Sequence, residues 1–368
     1  MVRKNILICT LSLIALNAFS QIGGSKTYEF LSIAPAVPRT IALGGSPIGI
    51  KDDDFGNSLQ SASLLSGAAS SNAIFLGTGN FHKGDVKYQL VSFGKSFAGI
   101  GHFAAGIQSV AYGLIDQRDE YGNDMGNIRA NDYCFNLMYG RDLDSNWTLG
   151  FNLKTIYSQF GQYKSIGNAA DVGLTYHKPG GRFVMTGLYK NMGYEWKSYI
   201  GKTKEKLPYD VQFGVSYRVP KAPFRLIGTY DYLNKWDLTY TDPNNPPATE
   251  DPFTHVPYKK HPVKDYMNKW GRHVIPALEV LITKNFNLRV SYNYRRRQEM
   301  ILTDKQGLAG FSLGLGLRIT CVQFSWAYAQ FTPGFWTNYF SLSTKLSEYH
   351  DFRKRRQDRR EARAKESS

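Results

Sequence analysis

The chain has 368 residues, with 45 Lys+Arg against 30 Asp+Glu for a net charge of +15, and three cysteines in all. So few cysteines exclude a disulfide scaffold, and no apolar run reaches the roughly 18–20 residues that a membrane-spanning helix needs. The 24 Tyr and 22 Phe suit a different membrane solution, a β-barrel with interfacial aromatic girdles.

Taken in order, the chain opens Met1-Val2-Arg3-Lys4. A mostly apolar stretch from Asn5 to Leu16 and then Asn17-Ala18-Phe19-Ser20 follow. This reads as a secretory signal peptide over 1–20, cleaved after Ser20, because the apolar run is too short for an anchor helix. On an exported chain the basic excess points to anionic lipopolysaccharide or acidic surface glycans rather than nucleic acid. Residues 21–71 carry no strand periodicity. Their stretch from Asn57 to Ser71, rich in Ser, Ala and Leu, predicts one or two short helices. Two readings stand for this segment: a plug at the periplasmic mouth of a barrel, or a loosely ordered periplasmic lead.

From 72 to 346 the period becomes two, which puts successive side chains on opposite faces of a sheet. The pattern is plainest near the end. There Leu288, Val290, Tyr292 and Tyr294, then Phe311, Leu313, Leu315, Leu317 and Ile319, alternate with small, polar or basic residues. Val322, Phe324, Trp326 and Tyr328, and then Phe340, Leu342, Thr344 and Leu346, repeat it. A greasy face opposite a polar face that carries arginines is the signature of an outer-membrane barrel, oily outside and wet inside. Strands are expected near 72–82, 85–95, 99–112, 131–141, 146–160, 169–178, 182–192, 208–218, 224–238, 273–283, 286–298, 307–320, 322–331 and 336–346. That is fourteen, an all-β antiparallel barrel of even strand number with both ends in the periplasm. The connections sort by parity. Asp142 to Asn146, Pro179-Gly180-Gly181, Pro220 to Pro223, Lys284-Asn285 and Thr320-Cys321 are short, whereas 113–130, 193–207, 239–272 and 299–306 are long. Short periplasmic turns alternating with long outside loops are what a barrel gives and a propeller does not.

Loop 239–272 holds Pro243, Pro246, Pro247, Pro252, Pro257 and Pro262, which keep it out of the sheet. It also holds Tyr258, Lys259, Lys260 and Trp270, the candidate partner-binding residues. A docking surface and a lid over the barrel mouth are equal readings of it. After Leu346 a basic tail, 347–368, runs through Arg353-Lys354-Arg355-Arg356. It is either solvated in the periplasm or in contact with a periplasmic partner.

Catalytic and cofactor chemistry find no footing. Ser92-Phe93-Gly94-Lys95 has the S-x-x-K spacing, but on a strand residues three apart face opposite ways. His255 and His261 lack a third metal ligand. Gly314-Leu315-Gly316 sits within a strand, where glycine makes room inside the barrel. Inward arginines Arg289, Arg295 and Arg318 either line a basic channel or pair with acidic groups of the plug. Cys134 and Cys321 lie far apart in sequence, and whether they pair is not legible.

A resemblance adds to this reading. Gly23-Gly24, Tyr28-Glu29-Phe30-Leu31, the Pro/Arg stretch and Ala42-Leu43-Gly44-Gly45 are similar to the start of the PorQ family. So are Asn80-Phe81 and Gln89 to Phe93 further on. PorQ proteins are outer-membrane barrels of the Bacteroidetes type IX secretion system, grouped with PorV and the FadL-type transporters. Its family motif falls on Gly24, Tyr28, Phe30, Leu31, Gly44 and Gly45. Where many relatives carry Asn-Pro-Ala, this chain has Asn57-Ser58-Leu59-Gln60-Ser61-Ala62. The resemblance implies a non-enzymatic component without cofactors. Such a protein would anchor a PorZ-like surface protein beside a PorU-like sortase and a PorV-like barrel, in the complex that attaches cargo to anionic lipopolysaccharide. The reading from a different class is a FadL-like transporter of hydrophobic small molecules, which needs a continuous greasy pocket.

Overall fold

The structure, a computed structural model, describes residues 27–33, 35–81, 85–201, 204–239, 262–299, 308–332, 335–349 and 353. Among these, fourteen antiparallel strands close into a barrel. They are β1 (Ala73–Phe81), β2 (Val86–Phe97), β3 (Gly101–Arg118), β4 (Asp124–Asp142), β5 (Trp147–Phe160), β6 (Tyr163–His177) and β7 (Phe183–Lys197), followed by β8 (Asp210–Arg218), β9 (Phe224–Tyr230), β10 (Val274–Val280), β11 (Phe286–Tyr292), β12 (Phe311–Ile319), β13 (Val322–Thr332) and β14 (Phe335–Lys345). Each strand pairs with its neighbours in sequence, and β1 closes on β14 with Ala73 opposite Lys345 and Asn80 opposite Asn338.

The alternation read from the sequence sets which face is which. In β12, Ser312, Gly314 and Gly316 are buried, whereas Phe311, Leu313 and Leu317 are exposed. In β2, Tyr88, Leu90 and Ser92 point in, and Val91 and Phe93 point out. An exposed Leu or Phe is unremarkable singly, but a continuous belt of them around a barrel is far larger than a soluble surface tolerates. The solvent of that belt is lipid. Aromatic rings bound it at the short-turn end, where Phe97, Phe103 and Tyr139 meet in series, as do Trp147, Tyr176 and Phe183. At the other end Tyr133 pairs with Tyr157, Tyr189 with Tyr209 and Tyr292 with Phe311.

Turns 98–100, 143–146, 178–182, 219–223, 281–285 and 320–321 all lie at one end and are short, and both ends of the barrel come to that side. Several boundaries differ from the sequence expectation. The supposed loop 113–130 is mostly hairpin, since β3 and β4 stay paired as far as Arg118 opposite Asp124. Its polar residues stand above the lipid belt, so alternation fades while the backbone bonds continue. The strand expected over 286–298 stops at Tyr292. Asn293 then accepts from the Arg296 amide at 3.0 Å and caps a helix, Tyr294–Glu299, so Arg295 sits on a helix rather than a strand. The strand expected to 238 ends at Tyr230, and the loop before β10 contains a helix, Pro262–Gly271, that period-two reading missed.

Residues 27–33 and 35–72 line or fill the lumen and its short-turn mouth. They form a 3-10 turn at Glu29–Ser32, helix α1 (Pro38–Ala42), helix α2 (Phe55–Ser58), a 3-10 turn at Ala62–Leu64 and helix α3 (Gly67–Ser70). The two helices of the outer strand-connecting segments are α4 (Pro262–Gly271) and α5 (Tyr294–Glu299). Lumen helices of four or five residues have no stability of their own, so the barrel wall imposes them. Local chemistry sets their ends: Pro38 starts α1, Asp54 caps α2 by accepting from the Gly56 amide, and Ser66 caps α3 through the Ala69 amide. Gly44 and Gly45, at φ 93° and 108°, turn the chain out of α1 in a conformation that L side chains rarely adopt.

Candidate functional site

The candidate site is the lumen itself, and the segment 27–72 fills it. Phe30, Leu31, Val37, Ile41, Phe55 and Leu65 of that segment pack with Phe75, Leu90, Met138, Ile156 and Tyr339 of the wall in one buried apolar cluster. The inward set is therefore greasier than the Gly, Ser, Asn, Gln and Arg residues read from the last strands alone. The fit is close. A Cβ on Gly77 would stand 1.9 Å from the Ala36 carbonyl oxygen, and one on Gly150 would stand 2.0 Å from the Ser63 nitrogen. Gly314 makes room for the Ala42 methyl, which its own Cβ would approach to 2.5 Å.

Charged anchors hold the segment toward the short-turn end. Glu279 on β10 is fully buried and meets three arginines: Arg39 of α1 at 2.9 Å, Arg225 of β9 at 2.7 Å and Arg289 of β11 at 2.9 Å. Arg39 also contacts Asp52 at 2.7 Å and Asp54 at 3.0 Å, and Arg225 reaches Asp52 at 2.9 Å. Three guanidinium and three carboxylate groups thus neutralise each other across segment and wall. A buried charge without such a partner would be several kcal/mol uphill. Burial by itself would raise the Asp52 carboxyl, but Arg39 and Arg225 outweigh it and hold the group well below the usual carboxylate range. Further out, Arg318 grips Asp53 at 2.7 Å and Glu348 at 2.7 Å, tying the segment to the residues just after β14. Of the two readings for the inward arginines, pairing with an acidic group of the plug holds for Arg318, through Asp53. Arg289 pairs with Glu279 of the wall instead, and Arg295 lies over the Tyr232 ring at 4.3 Å and 3.9 Å from Glu299 of its own helix.

Other anchors are polar. A hydroxyl relay runs Ser61–Ser63–Thr175–Thr186 at 2.8–2.9 Å between segment and wall. Lys154 pairs with Asp171 at 2.7 Å and with Asn191 at 2.7 Å within the wall. Burial lowers the Lys51 ammonium, against the opposing pull of Asp142.

Among the described residues, spaces remain in the lumen. A chamber of about 580 Å³ opens at the short-turn end, lined by Arg39, Asp52, Arg225, Glu279, Arg289 and Arg318 among others. A mid-lumen chamber of about 40 Å³ lies between Leu31, Ile33, Leu59, Leu90, Met138 and polar groups including Lys154 and Asp171. A third, about 280 Å³, lies beyond Gly44, Gly45 and Ser46 against Lys190, Asp231 and Arg295.

The motif residues fall on this segment. The Tyr28 ring is buried, and its hydroxyl is hydrogen-bonded to Ser165, which in turn donates to Glu195 at 2.6 Å. Phe30 and Leu31 enter the apolar cluster, and Gly44 and Gly45 end α1. Gly24, Tyr258, Lys259, Lys260, His255, His261, residues 1–20 and most of the tail lie outside the described residues. Trp270 is on α4 and exposed, away from the lumen anchors. Ser92 and Lys95 point to opposite faces, Ser92 bonding the Ala105 carbonyl and Lys95 lying over Phe97. Cys134 and Cys321 are both free thiols, the first buried in the lumen wall. Sequence reading missed Glu279 and Arg225 as anchors. The signal was there, since both occupy the minor face between Leu278 and Val280 and between Phe224 and Leu226.

No protein-family model matches this chain, and no curated protein matches it by sequence. Solved structures do resemble it. A TodX deltaS2S3 mutant, a monoaromatic hydrocarbon channel, aligns over 84% of this chain and 99% of its own at a TM-score of 0.51 and 11% identity. Weaker likenesses include the Pseudomonas putida toluene transporter TodX, at 0.47 and 10% over 88% of this chain and 98% of that one. Another is a Pseudomonas aeruginosa FadL homologue, at 0.45 and 10% over 84% and 97%. The chain has a FadL-like barrel fold of outer-membrane type. At such identities the likeness concerns the fold alone.

Proposed function

We propose that the chain is a non-enzymatic outer-membrane barrel, held shut by its own N-terminal segment, that serves as an attachment component of type IX secretion. In this reading it anchors a PorZ-like surface protein beside a PorU-like sortase and a PorV-like barrel, where secreted cargo is joined to anionic lipopolysaccharide. The observation that carries the reading is the occluded lumen. The charged chamber at the short-turn end is separated from the far side by a packed apolar layer and a mid-lumen space of about 40 Å³. That space holds a water or so, whereas a benzene-sized guest occupies a cavity of about 150 Å³. The partners themselves come from the resemblance of Tyr28-Glu29-Phe30-Leu31 and Ala42-Leu43-Gly44-Gly45 to the PorQ family.

A second reading, transport of hydrophobic small molecules, has its own support. The TodX deltaS2S3 mutant that shares the fold is a monoaromatic hydrocarbon channel by name, which favours transport over attachment. Leu31, Ile33, Leu59, Leu90 and Met138 also give the mid-lumen space an apolar side that could widen if the segment moved. One experiment separates the two: capture of the tagged barrel from its native outer membrane, with co-purifying proteins identified by mass and bound small molecules by extraction. Recovery of a sortase, a second barrel and a large surface protein is the expected result. A barrel recovered alone, with apolar ligand bound, replaces attachment with transport.

A further inference from the structure

Helix α4 presents Val263, Tyr266, Met267 and Trp270, spaced i, i+3, i+4 and i+7, on one stripe, and all four are exposed, Val263 at 75%. In a helix packed on a water-soluble surface that stripe faces the protein. Here it is the opposite side that is tied down: Asn268 accepts from the Tyr294 hydroxyl at 3.1 Å, and Lys269 pairs with Asp237 at 2.6 Å. The polar side holds the barrel rim, and the apolar side points away.

Two further observations identify what lies there. First, the wall beneath α4 is low. Strands β9, β10 and β11 have seven residues each. At about 3.3 Å per residue and a tilt near 40°, such a strand rises roughly 18 Å, against an apolar band of roughly 25 Å. The deficit, roughly 7 Å, is less than the thickness of one helix laid flat, about 10–12 Å with side chains, so a single helix spans it. Second, a ladder of stacked rings, with His273 buried at its centre, joins the outward face of the wall to the helix. Tyr230, outward on β9 beside outward Phe213, stacks on His273 at 4.9 Å. His273 stacks on Trp236 at 5.9 Å, and Trp236 meets Tyr266 at 5.5 Å. Exposed Leu233 flanks this ladder. Several backbone groups along it are paired within the protein, as lipid depth favours. The Asp231 and Leu233 amides donate to the His273 and Val211 carbonyls, and the His273 ring nitrogens sit 2.8 and 3.0 Å from the Asp231 and Trp236 carbonyl oxygens.

We infer that α4, with residues 231–239 beneath it, completes the lipid-facing wall where the strands are short, lying in the outer-leaflet boundary with Val263, Tyr266, Met267 and Trp270 among acyl chains. Trp and Tyr are the side chains that favour that depth. The inference is independent of whether the barrel attaches cargo or transports.

Site-directed spin labelling tests it in the full chain. In a Cys9→Ser, Cys321→Ser background, with Cys134 buried, Val263→Cys, Met267→Cys and Asp265→Cys are labelled and reconstituted into phosphatidylethanolamine–phosphatidylglycerol vesicles. Heat-modifiable gel mobility confirms a closed barrel in each. The labels at 263 and 267 are expected to collide more with oxygen than with a water-soluble nickel complex, and the label at 265 is expected to show the reverse. Equal nickel access at 263, 265 and 267 would place the helix in water. Labels at 263 and 267 shielded from both reagents would mean that another protein segment covers the stripe. Either result overturns the inference.

Discussion

Glu279 is fully buried, and three arginines pair with it. Replacing it with Gln keeps the volume and removes the only charge that Arg289 contacts in this cluster, so the expected destabilisation is large, about 3–5 kcal/mol. The thermal midpoint of the heat-modifiable mobility shift should fall accordingly. An unchanged midpoint would mean that water from the adjacent chamber screens the arginines. Asp52 predicts the response to acid. Its folded carboxyl lies below the unfolded value of about 3.9, so its contribution is complete above that pH and is lost as pH falls through the folded pKa. Stability should therefore hold from neutral pH to about pH 5 and decline below about pH 4. Asp52→Asn should flatten that decline, as read from the same midpoint measured across pH.

The glycines at which wall and segment touch make a test at the level of elements. Gly77→Val and Gly150→Val drive a side chain into the backbone of residues 36 and 63, an overpacking worth about 1–3 kcal/mol each. The sheet bonds of β1 and β5 do not need those glycines, so far-ultraviolet circular dichroism should stay that of a barrel. Protease cleavage within 27–72 should rise several-fold. The strands themselves were legible because lipid on one side and a packed lumen on the other impose a period of two on every residue between the girdles. Legibility fails where that double constraint ends. Leu114 to Asp116 pair with Arg129 to Asn127, and Arg118 with Asp124, above the belt without alternating, so the β3–β4 hairpin reads as a loop. Helix α4 has a clear 3.6-residue stripe, yet it follows a proline-rich loop and invites a reading as coil. The anchors Arg39, Asp52 and Asp54 were visible only as charges in a segment without periodicity, because the partners that give them meaning lie up to 240 residues away.

For the molecule as a whole, the filled lumen predicts little ion flow. Full-length protein in planar bilayers should be nearly silent. Deletion of residues 27–72 should give stable conductance steps, because the wall left behind encloses an aqueous bore lined by Arg225, Glu279, Arg289 and Lys154. A silent deletion variant that still shows barrel mobility would place the seal in the outer loops instead. The pairing of β1 with β14 also bears on how the molecule is made. The strand hydrogen-bonded to the start of the sheet is the last of the fourteen to be synthesised, and the Leu346 amide reaches back to the Asn72 carbonyl to finish the seam. The filling therefore precedes the wall in synthesis but is enclosed only when the final strand arrives. Once that seam is zipped, a bulky, charged segment has no side entrance. Assembly is thus a wrapping problem rather than a threading one: the nascent sheet has to curl around residues 27–72 while it is still open, and a chain that seals first is left with its own cork outside.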